Sequence, residues 1–124
     1  MLTNQLKTLA WRDVREFYEG LVLEQQWHIE PMAALVQFIA QSPYAKSLFP
    51  ATSHAALLIG RVADFERGDS MLEVRFVPES QCFVFTYTQS PNETERWSRK
   101  CAAGEGQAVF ERLLHKRLRW FHEG

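Results

Sequence analysis

Cysteine is scarce in this chain: Cys82 and Cys101 are the only two among 124 residues. Two are too few for a disulfide-stapled secreted scaffold. Long apolar runs are missing as well. The longest nearly apolar segment, Met32 to Ala40, falls far short of the roughly 18–20 residues that span a bilayer. The opening Met1-Leu2-Thr3-Asn4-Gln5-Leu6-Lys7 lacks the cationic start, apolar stretch and cleavage site of a secretory leader, and Asp13 and Arg15 interrupt the residues after it. No repeat, low-complexity tract or flexible linker interrupts the chain. These absences predict reduced thiols, a cytoplasmic location and no membrane partner.

Surplus charge is also lacking. Fourteen Lys and Arg face fifteen Asp and Glu, for a net charge of −1. The strong overall field of a non-specific nucleic-acid binder is therefore excluded. What is present is apolar and aromatic: 46% hydrophobic residues and 13% aromatic ones, including nine Phe and four Trp. A soluble chain of this length buries enough surface to hold one core unaided, so residues 1–124 are expected to form a single globular domain.

The first half reads as helix. Leu6, Ala10, Val14, Phe17, Tyr18 and Leu21 recur at spacings of three and four, the signature of one buried helical face. Arg12 with Glu16, and Arg15 with Glu19, sit four apart on the other side. Pro31 suits the first position of a second helix ending near Gln41. Only Gln37 interrupts its apolar surface, which places that helix in the interior. Ser42-Pro43 then reads as a cap and a first-turn proline opening a short helical turn through Lys46, closed by Pro50.

Beyond Pro50 the period changes from 3.6 to 2. Ala55–Val62 reads as a buried strand, and Asp64–Ser70 as a turn. Leu72, Val74 and Phe76 alternate with Glu73 and Arg75 in a half-buried strand over Met71–Val77. Cys82–Thr88 is rich in aromatic and β-branched residues and reads as a third strand. A fourth is expected through Arg96–Cys101. Gly104 and Gly106 release the chain into a last helix with Val109, Phe110, Leu113, Leu114, Leu118 and Phe121 on its apolar stripe. Short connections favour antiparallel pairing. The expected fold is α+β: N-terminal helices, an antiparallel meander of three to four strands, and a C-terminal amphipathic helix packed on the sheet.

Chemical motifs are few. His28-Ile29-Glu30 has the His-x-Glu spacing of zinc deaminases, but the Pro-Cys-x-x-Cys that completes such a site is missing. Gly104-Glu105-Gly106 lacks the third glycine of a dinucleotide fingerprint and sets a carboxylate where a phosphate would lie. Ser53 and His54 are adjacent, and adjacent strand residues point to opposite faces. No Gly-x-Ser-x-Gly elbow occurs. These observations predict no catalytic residue, no metal and no cofactor. A hairpin centred between Pro91 and Asn92 would set Cys82 directly opposite Cys101, as reduced and mainly structural thiols.

The neutral total conceals a division. Residues 1–94 carry seven cations and eleven anions, net −4, whereas residues 95–124 carry seven and four, net +3. Arg96, Lys100, Arg112, Lys116 and Arg119 are the candidate surface for an anionic partner. Arg117 falls toward the apolar stripe at helical spacing. Helix-end and solvation requirements account for most of these charges.

Three functions are consistent with these features. The first is a non-catalytic interaction or binding domain with a protein partner or a second copy of itself. The second is a small-ligand protein or enzyme with a pocket between the sheet and the N-terminal helices, where His28, Tyr44, His54 and Arg61 are the polar candidates. The third is weak binding of an anion or nucleic acid by the C-terminal basic segment, with nucleic acid disfavoured by the net charge.

Overall fold

A computed structural model describes residues 8–63, 70–88, 96–118 and 120, with only the backbone of Arg96 included. Helix α1 spans Trp11–Leu23 and buries Trp11, Val14 and Tyr18, a three-then-four spacing that lines one face. Trp11 anchors its start by donating from Nε1 to the Leu48 carbonyl at 2.9 Å. Phe17, expected on the buried face, is 39% exposed at its margin and meets Tyr18 edge-on. Leu6 and Phe121 lie outside the described residues.

Helix α2 spans Glu30–Ala40, with Pro31 in its first turn and Met32, Leu35, Val36 and Ile39 buried. It is not enclosed, since Ala34 and Gln37 face solvent. Alanine counts as apolar in a sequence pattern but offers too little area to demand burial. Ser42 ends α2 and begins the next turn, donating to the Ile39 carbonyl at 2.7 Å and accepting from the Tyr44 amide at 3.2 Å. The 3₁₀ turn Pro43–Lys46 comes next, as its proline predicts.

Five strands occur among the described residues, β1 Phe49–Ser53, β2 Ala56–Gly60, β3 Met71–Val77, β4 Cys82–Thr88 and β5 Arg96–Ala102. They form one antiparallel sheet in the order β1-β2-β3-β4-β5. The expected three to four strands are therefore corrected to five. Pro50, read as a terminator, lies inside β1. A proline lacks the N–H of a central strand but is tolerated on an edge strand such as this one. The edge is further occupied where the Leu9 amide donates to the Pro50 carbonyl at 2.9 Å.

One face of the sheet presents Leu57, Ile59, Leu72, Val74, Phe83, Phe85 and Tyr87 to the helices, forming a continuous core. Each such side chain contributes about 1.5–3 kcal/mol by leaving water. The opposite face carries a smaller cluster of Ala51, Leu58 and Met71 with Phe49, contributed by strand residues alone among those described. Around it the face is polar, with Glu73 paired to Arg75 and Thr86 Oγ1 3.1 Å from Ser98 Oγ. The first two helices thus share one face of the sheet with the last.

Thr88 pairs with Arg96, and Phe83 with Cys101. Seven residues intervene between Thr88 and Arg96, an odd number, whereas the hairpin centre inferred from sequence needs an even one. The thiols consequently do not oppose each other. Cys82 faces Ala102, and the two cysteines leave opposite faces of the sheet. Their Cβ vectors diverge, so the geometry of a disulfide is not met, and both are free.

After a 3₁₀ turn at Ala103–Glu105, helix α3 spans Gly106–Arg112 and continues as a π-turn over Leu113–Arg117. Glu105 reaches back to accept from the Ala102 amide at 3.3 Å, half of a capping box. Gly106 is required for close approach, not for an unusual φ. A Cβ there would fall onto the Phe83 ring, 2.7 Å from Cδ2. Gly106→Val is therefore expected to lose about 1–3 kcal/mol of stability through overpacking. The shift of its urea midpoint measures this, and an unchanged midpoint would contradict the packing.

Candidate anion-binding groove

Strand β5 is the second edge of the sheet, and its alternation determines which cations meet α3. Trp97, Arg99 and Cys101 lie opposite Tyr87, Phe85 and Phe83, on the helix-covered face. Ser98 and Lys100 lie opposite Thr86 and Val84 on the other face. Of the sequence candidates, Lys100 thus leaves on the side away from α3, and the neighbouring Arg99 takes the place beside it. The side chain of Arg96 and the whole of Arg119 lie outside the described residues.

The helix supplies the second wall. Arg112 and Lys116 are four apart and share a face, as expected. Arg117 joins them because of the π-turn, whose bond from the Leu118 amide to the Leu113 carbonyl measures 2.7 Å. An i→i+5 turn holds more residues than an α-turn, so it brings Arg117 closer in angle to Arg112 than α-helical spacing would. Leu113 and Leu114 stay buried. Arg117, which α-helical spacing assigns to the apolar stripe, instead stands over the Trp97 ring at 5.1 Å from its centroid. This cation–π contact holds the guanidinium at the groove.

Together Trp97, Arg99, Arg112, Leu113, Lys116 and Arg117 line a groove of about 390 Å³. Among the described residues that line it, four are cations and none is an acid. Like charges gathered on a partly apolar surface raise the local potential and attract an anion, with a dependence on salt. An aromatic series supports the floor: Trp97 lies 5.6 Å from Tyr87, which meets Trp120 at 6.2 Å. Arg61 stands over the Trp120 ring at 5.7 Å from its centroid.

The Cys101 thiol near the end of this strand is not an activated nucleophile. Burial raises its pKa above the ordinary value, and the Glu105 carboxylate adds to the effect while Arg99 opposes it. No group of three or more His, Cys, Asp and Glu side chains suited to a metal occurs among the described residues.

The four polar candidates for a pocket beneath the N-terminal helices are dispersed. His28 is exposed between α1 and α2, His54 is exposed at the β1–β2 turn with φ of 57°, and Arg61 is exposed beyond β2. Tyr44 is buried, but its partners come from the C-terminal helix. Its hydroxyl donates to Glu111 Oε2 at 2.9 Å and lies 2.8 Å from His115 Nε2. A hydroxyl has one proton, so His115 donates from Nε2 in this arrangement. Phe110 meets the Tyr44 ring edge-on at 5.9 Å. Sequence reasoning missed Glu111 and His115, whose four-residue spacing marks a shared helix face but points to no residue as distant as Tyr44.

Among the described residues, no helix is long and apolar enough to cross a membrane. No protein-family model, curated protein or solved structure matches this chain.

Proposed function

We propose that this protein is a non-catalytic interaction domain that recognises an acidic protein partner through the groove between β5 and α3. The convergence of Arg99, Arg112, Lys116 and Arg117 on one groove, with no carboxylate among its described lining residues, supports this reading most directly. The edge charges and helix-end cations have separate structural uses, but neither use requires them to gather around Trp97. A protein partner fits better than nucleic acid. Strong nucleic-acid binding neutralises roughly 6–10 phosphates, whereas this groove offers four cations and the first 94 residues carry net −4.

Poly-L-glutamate of defined length is a suitable probe. Its affinity, measured by titration calorimetry at low salt, is expected to fall at least tenfold in Arg112→Glu/Lys116→Glu while the fold persists. Unchanged affinity in that variant would remove the groove from the proposal.

A further inference from the structure

The geometry points to β-strand addition as the mode of recognition: an extended acidic segment of the partner protein pairs with the outer edge of β5 and directs alternate carboxylates into the basic groove. This inference rests on the acidic-partner reading above and specifies its geometry.

The backbone pattern of β5 identifies the receptive groups. The Ala103 amide donates to the Gln81 carbonyl at 3.0 Å. In an antiparallel ladder, hydrogen-bonded and non-hydrogen-bonded pairs alternate. Counting back along the register from Gln81 and Ala103, the pairs Phe83–Cys101, Phe85–Arg99 and Tyr87–Trp97 exchange bonds with β4. Arg96, Ser98, Lys100 and Ala102 therefore direct their N–H and C=O groups away from β4. Glu105 takes the amide of Ala102. Among the described residues, no backbone or side-chain partner meets the outward groups of Ser98 and Lys100.

The two edges of the sheet differ in this respect. At β1, Pro50 lacks an N–H and its carbonyl accepts from Leu9. At β5, the edge is seven residues long and flanked by a groove. A strand paired there would meet Arg99 in a non-hydrogen-bonded position, where opposed side chains approach most closely. Residues opposite Trp97, Arg99 and Cys101 would point their side chains toward α3, so acidic residues at every second position would meet Arg99, Arg112, Lys116 and Arg117. Main-chain bonds would supply a general affinity and the alternate carboxylates would supply specificity. A second copy of this chain is a poorer occupant: two β5 strands centred on Arg99 would set like charges opposite each other.

The probe is a nine-residue peptide with Glu at alternate positions and Thr between, compared with the same peptide N-methylated on the backbone nitrogens of one edge, with each edge methylated in turn. The expected result is that the unmodified peptide slows exchange of the Ser98 and Lys100 amides at least tenfold by NMR, and that methylation of one edge lowers affinity at least tenfold. Ser98→Pro, which removes an outward N–H and no groove cation, is expected to weaken binding similarly. The methylated peptides test the same point on the unaltered protein. Peptide binding without amide protection, equal for all three peptides, would overturn strand addition and leave the acidic-partner reading intact. Binding of neither the peptide nor poly-L-glutamate would overturn both. A twelve-residue oligothymidylate bound tenfold more tightly than the peptide would replace the protein partner with nucleic acid. Protection of Ser98 without peptide, together with a dimer in light scattering, would identify a second copy as the occupant.

Discussion

Replacing Phe85 with alanine is expected to destabilise the fold by about 3–5 kcal/mol, the range for removing a buried aromatic ring and leaving a cavity. Phe85 has no exposed surface and lies at the centre of the sheet, paired with Val74 on β3 and Arg99 on β5. Its ring is stacked with Phe83 at a centroid distance of 5.9 Å and an interplanar angle of 29°. The neighbours belong to ordered strands and helices, so collapse around the gap is limited. A domain of this size has about 5–15 kcal/mol of stability in total, and the loss corresponds to roughly 12–20 °C in melting temperature. Guanidinium unfolding followed by circular dichroism measures the change. Phe17→Ala provides the contrast: that ring is 39% exposed, and its removal is expected to lose less than about 1 kcal/mol. Equal losses in the two variants would show that the sheet centre is not the principal core.

The second large effect is alkaline. Tyr18 is fully buried, and its hydroxyl donates to the Ala55 carbonyl at 2.9 Å. Burial raises its pKa far above the ordinary value. In the unfolded chain a tyrosine ionises near pH ~10. Above that pH the unfolded state has released a proton that the folded state still holds. Stability contributed by Tyr18 is therefore complete below about pH 10 and is lost as pH rises, by about 1.4 kcal/mol per pH unit, until the folded pKa is reached. The raised pKa of Cys101 acts in the same direction from roughly pH 8.5 upward. At neutral pH, Tyr18→Phe is expected to be less stable by about 1–3 kcal/mol because the Ala55 carbonyl loses its donor. The difference between the two proteins should shrink by about 1.4 kcal/mol per pH unit above pH ~10, because only the tyrosine titrates. Denaturant midpoints from pH 8 to 11.5 test this, and a difference independent of pH would contradict it.

Much of this architecture was legible because local pattern and tertiary environment agree. β3 and β4 occupy the residues predicted for them, Met71–Val77 from its alternation and Cys82–Thr88 from its aromatic and β-branched content. One side of each is buried against the helices. Ser42 caps the turn that its position before Pro43 suggests. The misses have specific physical origins. Pro50 reads as the close of the short turn before it, and that it sits in a strand shows only once the sheet order makes β1 an edge. The cysteine register depended on the parity of a turn, which composition does not report. Arg117 looked misplaced because the expected period was 3.6. A cation on an apolar stripe was the one sign of a local change in pitch. At the groove, Arg112 and Lys116 were identifiable from helical spacing, whereas Arg99 required knowledge of which face of β5 meets α3. Tyr44 was singled out, but its partners are 67 and 71 residues away.

The π-turn makes the character of the groove a matter of chain length as well as composition. Leu113 and Leu118 are five apart, and the widened turn lets both remain on the core side while Lys116 and Arg117 stand together with Arg112. A chain with one residue fewer between those leucines would join them by an ordinary α-turn, with both still on the sheet. Only one of its intervening positions would then face Arg112. Such a chain would preserve the core while reducing the groove from four cations to three. Two sequences differing by a single gap at this point would share a fold and differ in the partners they attract.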